Sequence, residues 1–97
     1  MILSFKDVGT EDIFNGENTK FATKTCPQAL YSEAFRKLDQ IDSAVELNEL
    51  RVPPGNKLEA LESDRQGQYS IRINDQYRIC FIWTQNGAED VEIVDYY

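Results

Sequence analysis

The 97-residue sequence contains no histidine, only two cysteines and no long apolar run. The absence of histidine excludes imidazole metal ligands and every catalytic triad in which histidine is the base. No stretch approaches the roughly 18 consecutive apolar residues of a membrane span, and the N-terminus lacks the basic and apolar regions of a signal peptide. The sequence therefore predicts a cytoplasmic protein with no membrane partner, in which any catalysis uses groups other than histidine.

The two cysteines, Cys26 and Cys80, fall on different predicted elements, one at the start of a helix and one within a strand. Two reduced, unpaired thiols are expected in the cytoplasm. The alternative is a reactive Cys26, because the N-terminus of a helix lowers the pKa of a thiol. No candidate base lies near Cys26 in the sequence.

Basic residues are scarce, with ten Lys and Arg against 17 Asp and Glu, which gives a net charge of −7 and a pI near 4.4. That count argues against nucleic-acid binding, which depends on basic patches. The charge is unevenly distributed, because residues 51–78 hold five basic and four acidic side chains while the segments on either side are each at −4. The window predicts a small anion-binding surface in an acidic body; a solvated sheet of mixed charge is the alternative.

The length allows one domain, residues 1–97, and the pattern changes from helical to strand-like near Gly55. Apolar residues at Leu30, Ala34, Leu38 and Ile41 have the spacing of one helical face. The prediction is an α+β fold in which two N-terminal helices pack on an antiparallel sheet of four to five strands. The predicted helices are 6–15 and 27–44, joined by a loop, and the strands are 57–62, 69–73, 77–84 and 91–97, with 2–5 as a possible edge strand.

The turn sequences predict how the strands pair. If Asn86-Gly87 closes a two-residue hairpin, Arg78 lies directly opposite Asp95. The same rule applied to Asn74-Asp75 places Ile71 on the other side of Arg78. One sheet face then ends in Arg78, Asp95 and Tyr97, for which an ordinary cross-strand ion pair is the alternative to a functional cluster.

The alternating residues Tyr77, Ile79, Phe81 and Trp83 would occupy the opposite face of that sheet. The simplest interpretation is a core face packed on the helices. A stacking platform for nucleic-acid bases is the alternative, because such platforms combine aromatic rings with positive charge.

Three spaced segments carry a family resemblance: LRVPPGNKLEAL (50–61), DRQGQYSIRINDQYRICFIW (64–83) and VEIVDYY (91–97). Together with the opening MILSF, they resemble the HigB group of the RelE toxin superfamily, also called plasmid maintenance system killer proteins. The resemblance implies a RelE-like fold with a curved sheet and a cytoplasmic type II toxin that cleaves mRNA on the ribosome. It also implies a helix-turn-helix antitoxin of the HigA type as partner, with operator DNA contacted only through that antitoxin.

The chemistry that the resemblance implies is transesterification without metal or other cofactor, in which the ribose 2′-OH attacks the adjacent phosphate. The family's strand arginine matches Arg78, which would stabilise the transition-state phosphate. The family's C-terminal Asp-Tyr-His matches Asp95 and Tyr96, with Tyr97 in place of the histidine. We therefore expect Tyr97 to transfer a proton and Asp95 to orient Arg78.

Five further residues are expected at the site. On the first sheet strand some relatives carry histidine and lysine, where this chain has Glu59 and Glu62. Glu59 would act as general base if it faces Arg78; solvent-facing carboxylates are the alternative for both residues. RNA contacts are expected from Lys57, Arg65, Arg72 and Tyr96.

The acidic helical half predicts weak attraction to ribosomal RNA and mild toxicity. An alternative function keeps the fold but not the chemistry: a weakly active or inactive relative that binds its antitoxin and modulates repression of the operon.

Overall fold

A computed structural model describes residues 1–96, in which helices precede a four-stranded sheet. The helices are α1 (Val8–Phe14), α2 (Lys20–Thr25) and α3 (Tyr31–Ser43). The strands are β1 (Glu59–Ala60), β2 (Gln68–Arg72), β3 (Tyr77–Thr84) and β4 (Gly87–Asp95), and they form an antiparallel sheet in the order β1-β2-β3-β4. The predicted α+β architecture is confirmed. Along residues 1–96, each helix is too short or too polar to cross a bilayer.

Helix α2 lies inside the segment predicted as a loop, and that prediction is wrong. Thr19 caps the helix, because its hydroxyl accepts a hydrogen bond from the amide of Ala22 at 3.1 Å. Its six residues are too few for a helical period to be recognised, and Ala22 is its one buried side chain. Gly9 of α1 allows the two helices to approach closely, because a Cβ there would lie 2.5 Å from the carbonyl oxygen of Phe21.

The core lies between α3 and one face of the sheet. Ala34, Leu38 and Ile41 are fully buried, as the helical spacing predicted, although α3 begins at Tyr31 after a short 3₁₀ turn rather than near residue 27. On the sheet the core members include Ile71, Tyr77, Ile79, Phe81 and Ile93. The predicted core face of β3 is confirmed at Tyr77, Ile79 and Phe81, and the partly buried Trp83 packs against the same core, so this face does not form a platform for bases.

The predicted pairing of β3 with β4 is wrong by two residues at the turn and by one residue beside Arg78. The hairpin loop is Gln85-Asn86, so Thr84 pairs with Gly87. An irregularity between Cys80 and Ile82 then shifts the register by one residue, so that Arg78 lies opposite Val94 and Asp95 lies opposite Tyr77. Gly87 is required by its backbone conformation and by close packing, and not by the turn. Its φ is 143°, and a Cβ there would lie 2.3 Å from the carbonyl oxygen of Met1. The N-terminal segment packs against β4 at this point, and the predicted edge strand 2–5 is reduced to two isolated bridges.

The pairing of β2 with β3 also differs by one residue from the prediction. Arg72 lies opposite Arg78, and Ile71 lies opposite Ile79. The connecting loop is longer than two residues because the side chain of Asn74 accepts hydrogen bonds from the amides of Gln76 and Tyr77. As a result the polar side chains of β2, and not its isoleucine, share a face with Arg78.

Candidate active site

Arg78 is buried, with 8% of its surface exposed, and its guanidinium is held by three acceptors on Ser70 and Lys57, of which the carbonyl of Ser70 is the most distant from Nη2 at 3.5 Å. Nε donates to Oγ of the fully buried Ser70 on β2 at 2.8 Å, and Nη2 donates to the main-chain carbonyl of Lys57 at 2.7 Å. Hydrogen bonds from a charged donor are stronger than those between neutral groups. The plane of the guanidinium is therefore fixed before any ligand arrives.

The remaining nitrogen of Arg78 faces a pocket of about 260 Å³. Nη1 lies 3.8 Å from a carboxylate oxygen of Glu59, and the Tyr96 ring centroid lies 5.5 Å from Cζ of Arg78. The pocket is lined by Lys57, Glu59, Arg72, Asn74, Asp75, Arg78 and Tyr96. A fixed guanidinium, a neighbouring carboxylate and an aromatic ring thus open onto one concave surface.

Charge at the pocket is dominated by two arginines that face each other across the strands. Arg72 and Arg78 are direct neighbours in the sheet, an arrangement that repels unless anions lie nearby. Within the chain those anions are Asp75, which pairs with Arg72, and Glu59 beside Arg78. The pair of guanidiniums, with exposed Lys57, can bind a phosphate group and stabilise the added negative charge of a pentacoordinate phosphorane.

Arg65 and Asp95 lie at a second pocket, of about 380 Å³, which shares Tyr96 with the first. Arg65 donates to the Glu92 carboxylate at 2.7 Å, and this hydrogen bond raises the pKa of Arg65 above its ordinary value. The carboxylate of Asp95 accepts from Nε2 of Gln76 at 3.0 Å. Of the predicted site residues, the first pocket thus unites Lys57, Glu59, Arg72, Arg78 and Tyr96, and Tyr97 lies outside the described residues.

The structure corrects the predicted pairing of Arg78 with Asp95. Asp95 lies beside Tyr77, whose pKa is raised mainly by burial and secondarily by this carboxylate. Ser70 and Lys57 supply the observed hydrogen bonds to Arg78. Sequence reasoning missed Ser70 because the predicted two-residue loop placed its side chain on the opposite face of the sheet from Arg78. A three-residue loop after Ile73 places Ser70 on the same face as Arg78.

Both cysteines are buried and unpaired, as expected for reduced thiols. Burial raises the pKa of Cys26 to about 11, and burial also raises the pKa of Cys80. The alternative of a reactive Cys26 with a lowered pKa is therefore wrong. In the described part of the chain, no three side chains of His, Cys, Asp or Glu cluster in a way that could hold a metal ion.

Comparisons with known proteins agree with the fold and the family resemblance. Residues 3–97 match the family described as the RelE-like toxin of the type II toxin-antitoxin system HigB. Toxin HigB-1 of Vibrio cholerae is 38% identical over 88 residues, covering 91% of this chain and 90% of that protein. Endoribonuclease HigB of Proteus vulgaris is 32% identical over 97 residues, covering 100% of each chain.

Among solved structures, the YoeB-YefM complex from Staphylococcus aureus contains a chain with the same fold. The TM-score is 0.61 at 18% identity, and the match covers 100% of this chain and 99% of that one. The fold is thus RelE-like, and the chain belongs to the HigB-like family of RelE-like toxins of type II toxin-antitoxin systems.

Proposed function

We propose that this protein is a ribosome-dependent mRNA endoribonuclease that cleaves by transesterification without a metal or other cofactor. The observation that carries the proposal is the fixed guanidinium of Arg78, whose Nη1 faces a pocket shared with Glu59, Arg72 and Tyr96. A relative from Proteus vulgaris that aligns over the whole of this chain, named Endoribonuclease HigB, supports the assignment.

In the proposed reaction the 2′-oxygen of the ribose bonds to the adjacent phosphorus, and the bond from phosphorus to the 5′-oxygen breaks. The products are a 2′,3′-cyclic phosphate and a 5′-OH. Arg78 donates to the non-bridging oxygens, where negative charge accumulates. Glu59, beside Nη1 of Arg78, accepts the proton of the 2′-OH, and Tyr97 donates a proton to the leaving oxygen.

The two pockets suggest how the RNA chain lies on the protein. Tyr96 lines both pockets and is half exposed, so its ring is available to stack on a base next to the scissile phosphate. Lys57 and Arg72 would contact phosphate in the first pocket, and Arg65 would contact the chain in the second. Asp95, also at the second pocket, stays a predicted member of the site.

The proposal extends to partners. An antitoxin of the HigA type would neutralise the toxin in the cytoplasm. The toxin would contact operator DNA only indirectly, through this antitoxin. Membership of a toxin-antitoxin family supports an antitoxin partner, and the similar fold in the YoeB-YefM complex is in keeping with it.

A second function is favoured by one observation, namely that each arginine of the pocket has a carboxylate beside it in a protein of net charge −7. A chain with such a weak positive field could act mainly as an antitoxin-binding module that modulates repression. This alternative keeps the fold and the partner but not the cleavage.

Expression in cells that lack the antitoxin, followed by mapping of mRNA 5′ ends, separates the two functions. Cleavage within translated regions should occur with the natural chain and with Arg36→Ala, an exposed arginine on α3, but not with Arg78→Ala. If transcripts and growth with the natural chain match those with Arg78→Ala, the nuclease proposal is wrong and the binding module is favoured.

A further inference from the structure

A buried polar cluster is centred one residue before Lys57, whose carbonyl accepts from Arg78. Its centre is Asn56, which is fully buried in the segment between α3 and β1. Nζ of Lys37, a side chain that is also buried, donates to Oδ1 of Asn56. The side-chain amide of Asn56 donates to Oε1 of Gln40 at 2.9 Å and to the carbonyl of Leu50 at 3.1 Å.

These bonds attach the segment before β1 to helix α3. Lys37 and Gln40 are one turn apart on α3, so their side chains approach Asn56 from the same helix face. A buried ammonium is costly unless it is well hydrogen-bonded. Lys37 has no ion pair within residues 1–96. Burial of its ammonium therefore lowers the stability of the folded protein, and the hydrogen bond to Asn56 offsets part of that loss.

The residue after Asn56 is Lys57, whose main-chain carbonyl accepts a hydrogen bond from Arg78. Lys57 adopts the left-handed conformation, with φ 47° and ψ 57°, which a residue with a side chain adopts only when its surroundings impose it. In this conformation its amide donates to the carbonyl of Pro54, and its own carbonyl accepts from Nη2 of Arg78 at 2.7 Å. Asn56 attaches the residue before that carbonyl to α3, and Arg78 binds the carbonyl itself.

We infer that Asn56, held by Lys37 and Gln40, is a positioning residue for the anion pocket: it fixes the Lys57 carbonyl that sets the plane of the Arg78 guanidinium. The inference rests on the proposed role of Arg78 in binding phosphate. It assigns to α3, which does not line the pocket, a part in the alignment of Arg78. Without Asn56 the Lys57 carbonyl would move and Nη2 would lose its shorter hydrogen bond, while the bonds from Nε and Nη2 to Ser70 would remain.

The test compares Asn56→Ala with Asn48→Ala, a matched change at an exposed asparagine outside the cluster. Nitrogen-15 NMR follows the Nε and Nη protons of Arg78 during titration with inorganic phosphate. In Asn56→Ala we expect faster water exchange of the Nη protons, little change at Nε, and a loss of phosphate affinity of about tenfold. Asn48→Ala should match the natural chain in every respect.

A double variant distinguishes positioning from a general loss of structure. In an Arg78→Ala background, Asn56→Ala should cause no further loss of phosphate affinity, because it acts through Arg78. Gln40→Met removes one bond of the cluster at a partly exposed helix position and keeps the test available if Asn56→Ala does not fold; we expect it to shift the Nη protons in the same direction. Folded variants with unchanged Nη exchange and unchanged phosphate affinity would overturn the inference.

The test of Asn56 is independent of the test for mRNA cleavage. The Arg78 signals and the phosphate affinity are measured without mRNA or ribosomes. A natural chain that fails to cleave mRNA would contradict the nuclease proposal but would leave the positioning of Arg78 by Asn56 supported or refuted by these measurements alone.

Discussion

The hydrogen bond from Arg78 to Ser70 offers a direct probe of how the site is built. Ser70 is fully buried, and its hydroxyl accepts from Nε of Arg78 at 2.8 Å. Ser70→Ala removes the acceptor and leaves a charged donor unsatisfied in the interior. Hydrogen bonds to charged groups contribute about 1.5–3 kcal/mol, so we expect the free energy of unfolding to fall by about 2 kcal/mol. For a domain of this size that loss lowers the Tm by roughly 8–16 °C.

The same change should slow mRNA cleavage, because the guanidinium would rotate more freely about the Lys57 carbonyl. A loss of about 1.4 kcal/mol of transition-state stabilisation corresponds to a tenfold lower rate. Urea unfolding and a cleavage assay with ribosomes and a defined mRNA measure the two effects, with Ser32→Ala on the exposed side of α3 as the matched control. If Ser70→Ala matches Ser32→Ala within about 0.5 kcal/mol in stability, the reasoning about Arg78 is wrong.

Three further predictions follow from the pocket and the core. Glu59→Gln should lower the cleavage rate by about 10²-fold or more if Glu59 is the base, whereas Glu11→Gln, an exposed carboxylate on α1 outside both pockets, should leave cleavage unchanged, as single-turnover assays would show. Asp75→Asn should strengthen phosphate binding by up to about fivefold at low salt, since it releases Arg72 from an exposed ion pair; equal affinity by titration would contradict this role. Because burial raises the pKa of Cys26, the folded state is favoured below the pKa of the unfolded thiol, and stability should fall between about pH 9 and pH 11; Cys26→Ala should flatten that dependence in alkaline unfolding curves.

The elements with a strong local period could be predicted from the sequence. Strand β3 has the predicted bounds of 77–84, because a short apolar run, residues 79–83, between two turn sequences is typical of a buried strand. The buried face of α3 follows in the same way from the spacing of Ala34, Leu38 and Ile41. Helix α2, six residues long and with one buried side chain, has no such period, and its signal is confined to the cap at Thr19.

The sequence indicates Arg78, Glu59 and Arg72 individually, and the three lie at one pocket, but their arrangement does not follow from the sequence. A two-residue loop after Ile73 would place Arg72 on the opposite sheet face from Arg78, because the facing of each side chain depends on turn lengths that local sequence leaves open. Gly87 illustrates a second reason, because it resembles a turn glycine but is needed where the N-terminal segment approaches β4. Contacts between residues 86 apart in the chain thus constrain the pairing of β3 with β4, and local sequence does not reveal them.

The structure shows where the basic residues of segment 51–78 lie. The net charge of −7 does not exclude an RNA substrate, because Lys57, Arg72 and Arg78 line one pocket. The carboxylates beside the two arginines weaken the field of that pocket. Weak attraction to the ribosome and mild toxicity stay predictions, which a side-by-side comparison with a more basic relative would test.

The central claim is that Arg78 stabilises the phosphate during cleavage of mRNA on the ribosome. The most direct measurement incubates the purified protein with a defined mRNA, with and without ribosomes, and analyses the ends of the products. The account predicts 2′,3′-cyclic phosphate and 5′-OH ends that form only with ribosomes and are lost in Arg78→Ala. Products that persist in a folded Arg78→Ala variant, or an absence of cleavage by the natural chain on translating ribosomes, would contradict it.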